Sequence, residues 1–164
     1  MDIKIYGDPA LRMKAIAVSG VGAAEKKILE EMAKAMYAAE GVGLAATQVG
    51  INKRLAVIDA GNGLLKLANP EIVKAWCKKL GEEGCLSFPE IRVKIRRPQK
   101  VVVEALNQDS QKVKIEAEGL LARVLQHEID HLNGVVIIDR IGLAQKLMVA
   151  VRLLKLKKKR TSNT

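Results

Sequence analysis

The chain's two histidines stand four residues apart in Gln126-His127-Glu128-Ile129-Asp130-His131. On a helix, positions i and i+4 lie one turn apart on one face, so two imidazoles can hold one cation. Glu128 would then stand beside the ion, where it can hold and deprotonate a water. A catalytic site keeps one coordination position open and so needs a third protein ligand. Gly134 follows as in one protease pattern, but Ile137 stands where that pattern places a third histidine. No glutamate follows Glu128, and Asp139 is the only acidic residue beyond Asp130. The third ligand is therefore expected upstream.

Upstream lie two cysteines. Cys77, in Ala75-Trp76-Cys77-Lys78-Lys79, reads as a free, buried thiol at the frayed end of an apolar segment. Cys85, in Glu82-Glu83-Gly84-Cys85-Leu86-Ser87-Phe88-Pro89, sits in a Gly- and Pro-bounded turn able to lift a side chain and its neighbouring N–H into a cleft. The set expected to hold a divalent metal is Cys85, His127 and His131, with water or hydroxide completing the shell. Glu128 would take the proton of that water as it attacks and could return it to a leaving group. One thiolate and two imidazoles suit iron(II), zinc, cobalt or nickel.

The elements that must position these groups fit 164 residues in one domain with an aliphatic core, since Tyr6, Tyr37, Trp76 and Phe88 are the only aromatics. The spacing predicts a helix over residues 25–40 ended by Gly41, and strands over 54–59, 64–75, 91–96, 100–106 and 112–117. Gly61-Asn62-Gly63 marks a hairpin, Pro70 an edge or bulge, and residues 107–110 a turn. The motif helix is expected over 117–132, stopping at Asn133-Gly134, its apolar flanks packed beneath strands. A last helix, 143–157, carries Leu147, Val151 and Leu154 on one stripe. The expected fold is a single α+β domain of mixed, mainly antiparallel sheet around the motif helix, with residues 1–142 as catalytic core and 143–164 as an amphipathic helix and basic tail.

Gly41-Val42-Gly43-Leu44-Ala45-Ala46-Thr47-Gln48, Glu83-Gly84-Cys85-Leu86-Ser87 and Gln126-His127-Glu128-Ile129-Asp130-His131 resemble, in order and spacing, the three signature motifs of peptide deformylases. The likeness runs from Gly7-Asp8-Pro9 with Leu11-Arg12 to Asp139-Arg140. It implies removal of the formyl group from formyl-methionine at the start of nascent polypeptides, and ferrous iron as the native metal. It also assigns the Gln48 amide and the Leu86 backbone N–H to the oxyanion. Val42, Gly43, Gly84, Leu120, Val124 and Arg92 are expected to border the substrate. Leu120 and Val124 lie at i−7 and i−3 from His127, and Gly43 leaves room for an extended peptide. Arg123, at i−4, would contribute its aliphatic stem.

Two other readings use the same residues. One is a different metal-dependent amide hydrolase or peptidase. The other is a nucleic-acid-binding module with a structural metal, disfavoured because only three ligands are found where closed sites use four. The net charge of +10 is uneven: seven cations and no acid fall in residues 141–164, leaving +3 elsewhere. That asymmetry points to a polyanion, and ribosomal RNA is the expected contact of Arg152, Lys155, Lys157, Lys158, Lys159 and Arg160, with the apolar stripe docked on the domain. No run is long enough to span a membrane, and residues 1–14 read as neither signal nor transit peptide. A cytoplasmic monomer is expected.

Overall fold

The computed structural model describes residues 1–161, with side chains to residue 154. Helix α1 (Ala23–Ala38) precedes strands β1 (Gly43–Ala45), β2 (Leu55–Ile58), β3 (Leu65–Cys85), β4 (Phe88–Leu106) and β5 (Lys112–Glu118). Helices α2 (Gly119–Leu132) and α3 (Leu143–Thr161) follow. The strands form one antiparallel sheet in the order β1-β2-β3-β4-β5. Among the described residues, the parallel component of the expected mixed sheet is a lone bridge between Ile16 and Lys53.

Three expectations about the strands are corrected. The strand expected to end at Ala75 runs on to Cys85, and those expected over 91–96 and 100–106 are one strand. Pro98 stands opposite Lys78 of β3, but its carbonyl accepts from Gln126 Nε2, so the side without an N–H faces away from β3, and β5 pairs only from Lys100 onward. Cys77 is exposed rather than buried, and it sits mid-strand with φ +59°. Pro70 does mark a bulge, as the register shifts between Ala68 and Glu71. Helix α2 starts at Gly119 because Ala117 and Glu118 still pair with Val101 and Lys100.

β3 and β4 form a long hairpin whose tip, Leu86-Ser87, lies between the paired Cys85 and Phe88. Along β4 the odd residues 91 to 97 are buried and the even ones exposed, the period-two signature of a strand with one face inward. Helix α2 is buried almost throughout, from Ala122 and then Val124 to Leu132. One side of α2 packs with Val101, Val103 and Ala105, while α1 and β1 close a second cluster around Leu29, Met32 and Leu44.

Helix α3 docks by a different face from the one expected. Leu147, Val151 and Leu154 are exposed, and Val149 and Leu153 pack with Ile91, Val93 and Ile95 instead. Gln145 sets this rotation: its side chain accepts from Lys94 N at 3.0 Å and donates to Lys94 O at 3.2 Å, capping the free edge of β4. The i, i+4, i+8 row through Gln145, Val149 and Leu153 therefore faces the sheet. Val149→Ala should lower stability by about 1–2 kcal/mol and Val151→Ala by less than about 0.5 kcal/mol, read from denaturant midpoints. The reverse order would show that α3 docks by its other stripe.

Candidate metal centre and active site

The period-two rule places Glu83 and Cys85 on the same face of β3, and that face meets α2. His127 and His131 share a face of α2, with ring centroids 4.9 Å apart. Ligand atoms of Cys85, His127 and His131 all lie within 4.8 Å of one another, and Cys85 Sγ is 3.2 Å from His131 Nε2. Glu83 Oε2 lies 3.2 Å from His127 Nδ1, a contact that fixes the ring and leaves Nε2 for a metal. His131 Nδ1 and Glu128 Oε2 are buried with no hydrogen-bond partner. One cysteine sulfur, two imidazoles and a carboxyl with an unpartnered oxygen suit a catalytic metal with an open position.

The cleft is about 700 Å³. The expected residues meet there: Val42, Gly43, Gln48, Gly84, Leu86, Arg92, Leu120, Val124, His127 and Glu128 all line it, with Cys85. His131 lies beneath, 1% exposed. Leu120 is 55% exposed at the rim, whereas Val124 is buried and also belongs to the core. Gln48 is buried: its Oε1 accepts from Ala45 N at 2.8 Å, which aims Nε2 at Ser87 Oγ, 3.1 Å, and Cys85 Sγ, 3.6 Å. Gly43 has a reason beyond substrate access. A Cβ there would press into Glu128 Oε1 and come within 2.8 Å of Val124 Cγ1.

Arg123 corrects an expectation: its guanidinium, not only its stem, is engaged. It donates to Glu83 Oε1 at 2.6 Å, Ile95 O at 3.1 Å and Lys79 O at 3.2 Å. Sequence reading also missed Arg97, Asp130 and the role of Glu83. Arg97, 4% exposed, donates through Nε and Nη2 to Glu83 at 2.6 and 3.0 Å and through Nη1 to Asp130 at 2.7 Å. Asp130 also receives Arg140. The signal for Arg97 was present: it continues the inward alternation of Ile91, Val93 and Ile95, and an arginine on a buried face requires carboxylates.

Burial alone would raise the Glu83 carboxyl, but hydrogen bonds from His127 and Arg97 outweigh it and hold the pKa at about 2. Burial also opposes the His127 imidazolium; Cys85 and Glu83 overcome this and hold its pKa well above the ordinary value. A metal must displace that proton, so uptake releases protons. Burial, then the charges of His127 and Arg97, push His131 well below its usual value. Glu128 is pushed up to about 7, first by burial, with Glu83 and Asp130 adding to the rise and His127 and Arg97 opposing it.

The polypeptide deformylase family model matches residues 1–146. The chain belongs to the polypeptide deformylase family. The peptide deformylase of Thermotoga neapolitana is 48% identical over 157 residues, 95% of this chain and 96% of that one. The crystal structure of the Legionella pneumophila peptide deformylase superposes with a TM-score of 0.91 at 38% identity, covering 98% of this chain and 96% of that one. The Thermotoga maritima enzyme gives 0.83 at 49% identity over 86% of this chain and 97% of its own. The chain is thus a hydrolase with a metal-binding Cys/His/His group.

Glu83 makes the fold acid-sensitive in a defined window. Its carboxyl falls from 4.5 to about 2 on folding, so its stabilisation is complete above about 4.5 and is lost as pH falls toward 2. Wild-type denaturant midpoints should drop across that window. Glu83→Gln should lack that part of the drop while being about 3 kcal/mol less stable at neutral pH, because it weakens the pairing of buried Arg97. Equal pH slopes in both proteins would show that Glu83 is not held ionised.

Proposed function

We propose that Glu128, Gln48 and the Leu86 backbone N–H carry out the reaction of this family here: removal of the N-formyl group from the formyl-methionine that begins a newly made polypeptide. The observation that carries the reading is Glu128, a buried carboxylate with one unpartnered oxygen, beside three metal-capable side chains at the floor of an open cleft. Cys85, His127 and His131 would hold the metal ion, which when bound supplies Lewis acidity that makes water a nucleophile near neutral pH.

Glu128 accepts the proton of the attacking water and returns it to the leaving amine, which would otherwise depart as a poor anion. Its raised pKa suits both roles near neutrality, and a bound cation lowers it toward the base form. Gln48 Nε2 donates to the oxyanion; its orientation is set by the Ala45 N–H, which needs Oε1 as acceptor. The Leu86 N–H, in the two-residue turn after Cys85, is the second donor. Val42, Leu120 and Val124 offer an apolar surface for the methionine side chain. Gly84 lacks a side chain for the substrate's sake: a Cβ would meet protein atoms only at 3.8 Å or beyond, so packing does not require glycine there. Arg92 stands at the rim beside Glu82, within reach of residues further along the peptide.

Ferrous iron is the proposed native metal, with zinc, nickel or cobalt as substitutes the donor set also accepts. We place residues 1–142 as the catalytic core of a cytoplasmic monomer and residues 143–164 as its anchor. None of the described helices is long and apolar enough to cross a membrane. The tail cations Arg152, Lys155, Lys157, Lys158, Lys159 and Arg160 are proposed to contact ribosomal RNA; Arg152 is exposed, and the side chains of the others lie outside the described residues.

The decisive assay compares formyl-methionyl, acetyl-methionyl and unmodified peptides. Hydrolysis of internal peptide bonds with none of the formyl group would replace this reading by a peptidase. Glu128→Ala should keep its metal while turnover falls by several orders of magnitude, and Cys85→Ser should lose metal affinity because serine is not ionised at neutral pH. Metal lost from Cys77→Ser and retained in Cys85→Ser would overturn the ligand set. Protein purified without air should contain iron and lose activity on aeration; air-stable activity with stoichiometric zinc would refute iron. Removing residues 156–164 should spare hydrolysis of a short formyl peptide and weaken ribosome association.

A further inference from the structure

From Lys74 to Gly84, β3 pairs with residues 102 to 92 of β4 in near-continuous antiparallel register. From 92 to 97 the odd residues of β4 face inward and the even ones are exposed, whereas Val102, opposite Lys74, is buried. The outer face carries Lys74, Lys78, Arg92, Lys94 and Arg96, all exposed, with Trp76 among them. Glu82 is the one carboxylate on these two stretches of that face, and it pairs with Arg92. Lys100, across from Trp76, pairs with Glu118 of β5. Lys74, Lys78, Lys94 and Arg96 have no ion-pair partner among the described residues.

Lysines on an edge strand also deter strand-to-strand aggregation, but that role calls for no arginine on the paired strand and no aromatic at the centre. Trp76 is 43% exposed between Lys74 and Lys78. A cationic surface tracking one direction, with an aromatic plane in its middle, matches the chemistry of a flexible phosphodiester strand whose base stacks on the ring. Two large exposed apolar side chains, Trp76 and Leu80 at 43% and 49%, are too little area to hold a lipid bilayer. We propose that the outer face of the β3–β4 hairpin binds single-stranded RNA without sequence preference, through phosphates on Lys74, Lys78, Lys94 and Arg96 and one base on Trp76. With one aromatic, the contact reads charge and flexibility rather than sequence. It stands apart from the hydrolase reading, because Lys74, Trp76, Lys78, Lys94 and Arg96 do not line the cleft, which this face borders only at Glu82 and Arg92. It also stands apart from the tail: α3 begins beside Lys94, but the ribbon cations belong to the sheet.

Trp76 is the chain's one tryptophan, so its emission reports the contact directly. Titrating the full chain with a fluorescein-labelled oligouridylate at low salt should quench Trp76 and raise the label's polarisation together. The logarithm of affinity should fall linearly with that of salt, with a slope of about 2–3 for three to four phosphates neutralised. Lys78→Glu with Arg96→Glu should weaken binding at least about tenfold, and Trp76→Ala about five- to one-hundredfold. Both variants should keep wild-type hydrolysis of a formyl-methionyl peptide, which shows that they fold. Lys34→Glu on α1 should leave RNA binding unchanged. Three outcomes overturn the proposal: ribbon variants that bind like wild type, binding abolished by removing residues 156–164 alone, or capture by anionic lipid vesicles with none of the RNA.

Discussion

Arg97 lies buried between two carboxylates, Glu83 on the hairpin and Asp130 on α2, and spends its whole fork on them. Three potential metal donors come from two elements more than forty residues apart in sequence, and something must hold the hairpin tip over the helix to within a fraction of an ångström. Glu83 sits two residues before Cys85 on the same strand face, and Asp130 sits beside His131 and three residues after His127. One guanidinium therefore ties both halves of the donor set at positions next to the donors themselves. Such a pair adds little net stability over an apolar replacement, but losing one partner strands a buried charge at about 3–5 kcal/mol. Its use here is geometric: the arrangement is satisfied in one relative placement of hairpin and helix.

The same charges set the chemistry. Glu83 is held ionised by Arg97, Arg123 and His127, so it stays an acceptor that engages His127 Nδ1 and would leave Nε2 to hold a metal. Glu128 lies one residue after His127 but receives none of those hydrogen bonds, and burial lifts its pKa to about 7. Two glutamates in one site are driven apart by nearly the full carboxylate range because one meets fixed donors and the other meets none. Gly43 completes the separation. With no Cβ it lets Glu128 occupy the space a side chain would claim, and Oε2 of the carboxyl stays buried without a protein partner.

Much of this was legible in the chain. A helix with two histidines and a glutamate carries its own geometry, since its spacing is local and its period is 3.6. Cys85 could be reached because no other ligand remained downstream. What escaped notice was long-range. Arg97 meets Glu83 diagonally across the hairpin, since its direct partner in register is Lys79; the alternation along β4 marks Arg97 as inward but does not say which carboxylates it meets. Cys77 read as buried because it adjoins an apolar run, yet the strand there has a neighbour on one side only and leaves both its faces to solvent. The stripe of α3 was similarly misassigned. Leu147, Val151 and Leu154 are as apolar as Val149 and Leu153, and the choice between them was made by Gln145 closing on the backbone of Lys94, a polar contact invisible to hydrophobic periodicity.

The hairpin must then satisfy two demands with one periodicity. Its inward residues, Glu83, Cys85, Ile95 and Arg97, build the site, and its outward residues, Lys78, Lys94 and Arg96, build a cationic surface. Because side chains alternate with a period of two, a slip of one residue between β3 and β4 would send Arg97 to solvent and Arg96 into the core. The irregularities of the pairing fall where they do least harm: two bulges lie before Lys74, and the last shift lies between Gly84 and Cys85 at the tip. Between them the register holds, fixed at one end by the two-residue turn and in the middle by Arg97 gripping Glu83. The buried salt bridge that aligns the metal donors is thus also what keeps the opposite face of the ribbon positively charged.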